Sequence, residues 1–267
     1  MTLTRTTKIL LGLFTALGLA VIYVPLIVVV VNSFNADRTF GWPPPGFTTE
    51  WWSRAIGNEG AMRALTTSIK AGLGATAIAL VLGTLAALAV HRFRFFGRET
   101  ISLLVVLPIA LPGIVTGIAL NNAYQVTGIS FGLLTIIIGH ATFCIVVVFN
   151  NMLARLRRTG GNVFEASADL GAGDWQTFRL VTFPLVRSAL LAGALLAFAL
   201  SFDEVIVTTF TAGPGAQTLP LWILSNLFRP NQAPVVNAVA AALIVLSVIP
   251  VWLAQRLSSD SAGGGRI

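Results

Sequence analysis

The sequence predicts an all-α, polytopic membrane protein with six transmembrane helices. Hydrophobic residues make up 55% of its 267 positions and charged ones only 10%, with a mean hydropathy of +0.84. Soluble chains carry about a quarter charged residues. Apolar stretches long enough to cross a bilayer, about 20 residues each, recur along the chain, and in hydrocarbon every backbone N–H and C=O must be satisfied inside the segment, as a helix does. The basic residues also alternate between sides. With the N-terminus inside, Arg5, Lys8, Arg92, Arg94, Arg98, Arg155, Arg157, Arg158, Arg179, Arg187, Arg256 and Arg266 are cytoplasmic, 12 of 17, as short inner loops require. The chain thus reads as one transmembrane domain over 1–267 with both termini in the cytoplasm.

The predicted spans are 9–31, 67–90, 101–123, 131–153, 188–210 and 235–255. The first follows Arg5 and Lys8 as a signal peptide would, but its apolar run outlasts the ~15 residues of a signal core and lacks a convincing cleavage site, so it reads as a retained helix. In the outer loop that follows, Thr49 can cap a short helix from Glu50, and Trp51 and Trp52 suit the headgroup layer or a partner outside the membrane. The third span contains Pro108 and Pro112, whose missing donors predict a kink. Gly113 and Gly117, and the small residues of "SALLAGALLAFALS" in the fifth span, predict close helix contacts. His140 and Cys144 sit one turn apart in the fourth span; two ligands without a third favour a buried histidine bonded to a neighbouring helix, and a buried apolar role for the lone cysteine.

Arg38, Arg54, Arg63 and Arg229 fall outside, Lys70 can reach the outer interface, and the acids divide five to a side. The net charge of +7 is therefore a cytoplasmic excess that reports topology and not nucleic-acid binding. No phosphate loop, HExxH or GxSxG is present, so no catalytic residue, cofactor site or metal site is expected, and energy for uphill transport would come from a partner or an ion gradient. Asp203 and Glu204, at the outer end of the fifth span, would line a cation route or form a structural ion pair.

In the longest inner loop, 154–187, charge is concentrated in "EASADLGAGDWQTFRLVTFPLV". Asn162 and Glu165 resemble a capping box, which predicts a helix over 163–170 that Gly171 stops. Asp174 would cap a second helix over 175–183, closed by Pro184. A two-turn helix is unstable alone in water and must dock on something. Its low profile at Ala166, Ser167 and Ala168, with Glu165 and Asp169 on one face, suits a groove in a cytoplasmic partner.

Glu165-Ala166-Ser167, three residues, Gly171, nine residues, Val181, one residue, Phe183-Pro184 matches the EAA-x3-G-x9-I-x-L-P signature of ATP-binding-cassette importer permeases, with Ser for Ala, Val for Ile and Phe for Leu. With "FTTEWWSRA", "HRFRFFGRE" and "LSFDEVIVTTFTAGPGAQTLPLWI", the chain is similar to the second permease subunit of spermidine/putrescine importers. The resemblance implies a type I importer permease fold and a coupling helix carrying Glu165, Ala166, Ser167, Asp169, Gly171 and Pro184. It also implies a cytoplasmic ATPase dimer, a second permease subunit and an external solute-binding protein as partners, in a bacterial inner membrane. Asp203 and Glu204 would then face polyamine ammonium groups. The alternative is an ion-coupled carrier working alone, which has no use for a docking helix and would show an inverted repeat or paired broken helices.

Overall fold

The computed structural model describes residues 4–38, 41–93, 95–160, 162–229 and 232–246. Among them the chain is helical, with a single isolated bridge, Asn35 to Phe47. The helices are α1 (Arg5–Asn32), α2 (Glu50–Ile56), α3 (Glu59–Arg92), α4 (Arg98–Ala110), α5 (Gly113–Thr127), α6 (Leu133–Arg158), α7 (Asn162–Asp169), α8 (Asp174–Thr177), α9 (Phe183–Phe202), α10 (Ile206–Thr211), α11 (Leu219–Leu227) and α12 (Ala233–Leu246). A π-helical turn, Phe178–Thr182, joins α8 to α9.

Four helical stretches are long and apolar enough to cross a membrane: Arg5–Asn32, Glu59–Arg92, Leu133–Arg158 and Asp174–Phe202. The predicted third span is not one helix. α4 and α5 meet at 103°, and they make a fifth crossing if counted together. Pro112 is the reason: it bars the preceding residue from helical geometry, and Leu111 is extended at φ −81°, ψ 143°. Pro108, by contrast, stays inside α4. The predicted fifth span also ends early, at Phe202, and 206–210 belong to the separate α10. Of the predicted sixth span, α12 covers the first part; residues 247–255 lie outside the described residues.

The described residues divide into two compact units, one within 4–62 and 223–246 and the other within 63–222. In the first unit α1 is exposed along its length, as suits lipid or another membrane subunit. The outer loop is more ordered than an interfacial strip. Trp51 is buried at 3% exposure and donates its indole N–H to the Asn35 carbonyl at 2.8 Å, while Trp52 stacks on Phe34 at 5.3 Å and bonds Ser33 Oγ. The headgroup placement of Trp51 is thus corrected: it is the core of a small fold around α2. Thr49 precedes α2 without a side-chain cap bond, and Thr48 Oγ1 accepts from the Glu50 N–H instead.

In the second unit α6 is central. Ile136, His140, Cys144, Val148, Phe149, Met152 and Leu156 are buried on it, beyond what an amphipathic stripe covers. α3 presents buried Ala71, Ala75, Ala79, Gly83 and Ala87 at a stride of four. That row of small residues lets backbones approach closely, which is how helices associate without a hydrophobic force between them. A Cβ on Gly83 would lie 2.9 Å from the Ile145 carbonyl oxygen. The predicted small-residue contacts of the fifth span are present, with Gly193 seated against Val148 and Ala197 fully buried.

Candidate functional site

The second unit carries both sequence-predicted sites, one at each end of α9. At the N-terminal end of α9, α7 runs from Asn162 to Asp169, one residue earlier than predicted. Gly171 ends it in the left-handed region at φ +76°, where glycine adopts the angle without a Cβ clash. The Ala172 N–H bonds the Ser167 carbonyl and the Gly171 N–H the Ala168 carbonyl, the two bonds of a Schellman stop. Glu165, Ala166 and Asp169 are exposed; Ser167 alone is buried, its hydroxyl 2.9 Å from that of Thr177. The departure from the alanine of the signature therefore has a partner ten residues on, which the sequence alone does not reveal.

The second predicted helix takes a different form. Gly173, not Asp174, is the cap residue of α8, and its N–H bonds the Gln176 side chain. Asp174 instead pairs with Arg92 at the end of α3, at 2.6 Å. Pro184 does not close the helix: the chain passes through the π turn directly into α9, with Pro184 in its first turn. Proline lacks an N–H and its ring crowds the carbonyl four residues back, here Leu180, which lies in the wide π turn. α8, the π turn and the fifth span thus form one continuous helical rod, Asp174–Phe202, and residues 170–173 separate α7 from it. Arg155 Nε donates to the Leu185 carbonyl at 2.8 Å and fixes the base of that rod to α6.

A cleft of about 510 Å³ opens beside α7, lined by Leu88, His91, Arg92, Phe164, Glu165 and Phe178 among others. Leu170, Trp175 and Leu180 of the same segment are exposed at 88%, 71% and 71%. Sequence reading placed the carboxylates and did not single out these three, which share the segment with Val163, Phe164, Phe178, Val181 and Phe183.

At the other end of α9, Asp203 is the exposed residue that terminates the helix, and Glu204 is half-buried. Glu204 Oε1 accepts from the Val207 N–H at 2.8 Å, so this carboxylate caps the start of α10. Neither residue forms an ion pair among the described residues. α10 lies on a glycine surface: Cβ atoms on Gly113 and Gly117 of α5 would meet Ile206 at 3.6 Å and Phe210 at 2.6 Å, and one on Gly139 of α6 would meet Val207 and Thr211 at 3.2 Å. Its last carbonyls are taken by side chains, Phe210 O by Asn121 Nδ2 at 2.6 Å and Thr211 O by Thr135 Oγ1 at 2.8 Å. His140 is fully buried and bonded to Ser201 and Thr208, the predicted histidine bonded to neighbouring helices. Cys144 is buried as expected, with Sγ 3.3 Å from the Ala197 carbonyl.

These features fit a multi-pass membrane protein, and residues 79–261 match the family described as binding-protein-dependent transport system inner membrane component. The chain belongs to that family, and it is a transmembrane permease subunit of an ATP-binding-cassette importer. It is 35% identical over 257 residues to the spermidine/putrescine transport system permease protein PotC of Escherichia coli K12, covering 96% of this chain and 97% of that one. It is 32% identical over 236 residues to the putrescine transport system permease protein PotI of the same strain, covering 85% and 83%. Among solved structures, a bacterial ABC transporter involved in the import of the acidic polysaccharide alginate superposes with a TM-score of 0.74 at 17% identity, covering 97% of this chain and 99% of that one. The solitary ion-coupled carrier finds no support among these relatives.

Proposed function

We propose that this permease carries polyamines inward, with Glu165 and its neighbours docked on a cytoplasmic ATPase and Asp203 on the cation's path. The observation that carries the coupling half is the continuity of the helical rod. An exposed two-turn helix holding Glu165, Ala166, Asp169 and the Gly171 stop is hydrogen-bonded to Thr177 at the foot of the rod, which leads through Pro184 into α9. Between α7 and α8 lies the turn 170–173, and the Ser167–Thr177 bond ties α7 across that turn to the foot of the rod. The absence of a phosphate loop from the sequence assigns ATP hydrolysis to the partner dimer. A second permease subunit and an external solute-binding protein complete the assembly, with N- and C-termini in the cytoplasm as the basic residues require.

The substrate half rests on the relatives named for spermidine and putrescine and on the turn at 203–204. A carboxylate at membrane depth faces a cavity or a partner group rather than lipid. With Glu204 engaged as a cap, Asp203 is the carboxylate free to pair with a passing ammonium. The test is uptake of radiolabelled spermidine by the assembled importer in proteoliposomes. Glu165→Lys is expected to abolish ATP-driven uptake while the chain still inserts in the membrane; normal uptake by that variant would remove the docking role.

A further inference from the structure

His140 bridges two helices. Its Nδ1 lies 2.7 Å from the Ser201 hydroxyl at the end of α9, and its Nε2 lies 2.8 Å from the Thr208 hydroxyl of α10. The Thr208 hydroxyl also lies 2.8 Å from the Glu204 carbonyl, so the three side chains and that carbonyl form one hydrogen-bonded cluster. All three side chains are at most 2% exposed.

That cluster straddles the break between α9 and α10, whose far side Glu204 marks by accepting from the Val207 N–H. From Phe202 to Ala212 there is neither glycine nor proline, and Val205 already has helical angles, φ −112° and ψ −44°. Without the break, α9 would continue through 203–205 and carry Asp203 round to another face. A six-residue helix such as α10 has no stability of its own. The break is also held from outside, by an imidazole that takes Ser201 on one side and Thr208 on the other.

We propose that His140 is a positioning residue for transport: bonded to Ser201 of α9 and Thr208 of α10, it holds the α9–α10 break open and so keeps the Asp203 carboxylate at the turn. This rests on the reading of Asp203 as the pathway carboxylate. Sequence reading classed His140 as structural; the new element is that what it structures is the transport turn.

The experiment uses the complete importer with its binding protein, comparing Thr208→Ser, Thr208→Val, Asp203→Asn and Asp203→Asn with Thr208→Val. Co-purification with the partner subunits checks assembly in each. Thr208→Ser keeps the hydroxyl and is expected within about twofold of the parent; Thr208→Val removes it and lowers the maximal uptake rate about tenfold, the loss of one buried bond with its partner orphaned, with half-saturation little changed. Because His140 acts through Asp203, the double variant should fall no further than Asp203→Asn alone. Multiplying effects, or equal behaviour of Thr208→Ser and Thr208→Val, would overturn the positioning role while leaving the pathway reading in place. Normal uptake by Asp203→Asn would overturn the pathway reading itself, and the positioning role with it.

Discussion

Ser167→Ala restores the alanine of the permease signature, so family resemblance alone predicts a neutral or improved coupling helix. The structure predicts the reverse. Ser167 and Thr177 bond at 2.9 Å between hydroxyls that are 7% and 5% exposed as residues, so removing one leaves the other buried without a partner. Such an orphan costs about 1–3 kcal/mol, against near neutrality when both partners are replaced by apolar groups of similar shape. α7 has eight residues and no helix stability to spare, so the loss falls on local opening, which should become more frequent by a factor of about 5 to 150. The assay is amide hydrogen exchange at Gly171 and Ala172, whose N–H groups close the helix end on Ala168 and Ser167. Ser167→Ala should exchange faster at both, and Ser167→Ala with Thr177→Val should return close to the parent. Unchanged exchange in the single variant, or a double variant as fast as the single, would refute the reasoning.

Two further substitutions probe the packing. Gly117→Val should destabilise the second unit by about 1–3 kcal/mol, because its first added carbon already falls 2.6 Å from Phe210 Cδ2 and 3.2 Å from Phe210 Cβ; thermal unfolding in detergent at the parental midpoint would contradict this. Trp51→Ala empties the centre of the outer-loop fold and should cost about 3–5 kcal/mol there, read as faster amide exchange across 33–56, whereas Trp51→Phe should lose little beyond the bond to the Asn35 carbonyl. Equal exchange in the two variants would mean that Trp51 is not the core of that fold.

Most helix positions were legible in the sequence because apolar length is a strong signal, and the Gly171 stop was legible because few residues other than glycine adopt a positive φ. Breaks were read less well. Pro108 and Pro112 look alike in sequence, yet one is absorbed within α4 and the other separates two helices at 103°; which of them breaks depends on the packing of α5 against α10. The break after Phe202 has one local mark, the Glu204 cap of α10, and is bridged by His140 from another helix. Pro184 misled in the opposite direction, since a proline in the first turn ends nothing when a π turn precedes it. Trp51 and Trp52 look interfacial by type, and only the fold of the loop around Asn35 and Ser33 buries the first. The helix over Glu165 and its stop at Gly171 lie where the sequence predicts them, to within one residue, while the bonds of Ser167 to Thr177 and of Asp174 to Arg92 are tertiary contacts that composition cannot encode.

α9 has 20 residues, about 30 Å of helix, close to the thickness of the hydrocarbon it crosses. α6 grips it near both ends, through Arg155 on the Leu185 carbonyl below and His140 on Ser201 above, and Gly193 packs against Val148 between them. Two helices bonded at both ends and close-packed between move as one body. Within this unit the backbone's freedom is therefore displaced from the α6–α9 pair to the irregular points around it. These are the π turn beneath α9, the 203–205 turn above it, and the Leu111–Pro112 bend, whose neighbour Gly113 packs on Ile206 of α10. The first of these lies close to α7 and the second carries Asp203, so the two irregular points flank the α6–α9 pair, one toward Glu165 and the other at the Asp203 carboxylate.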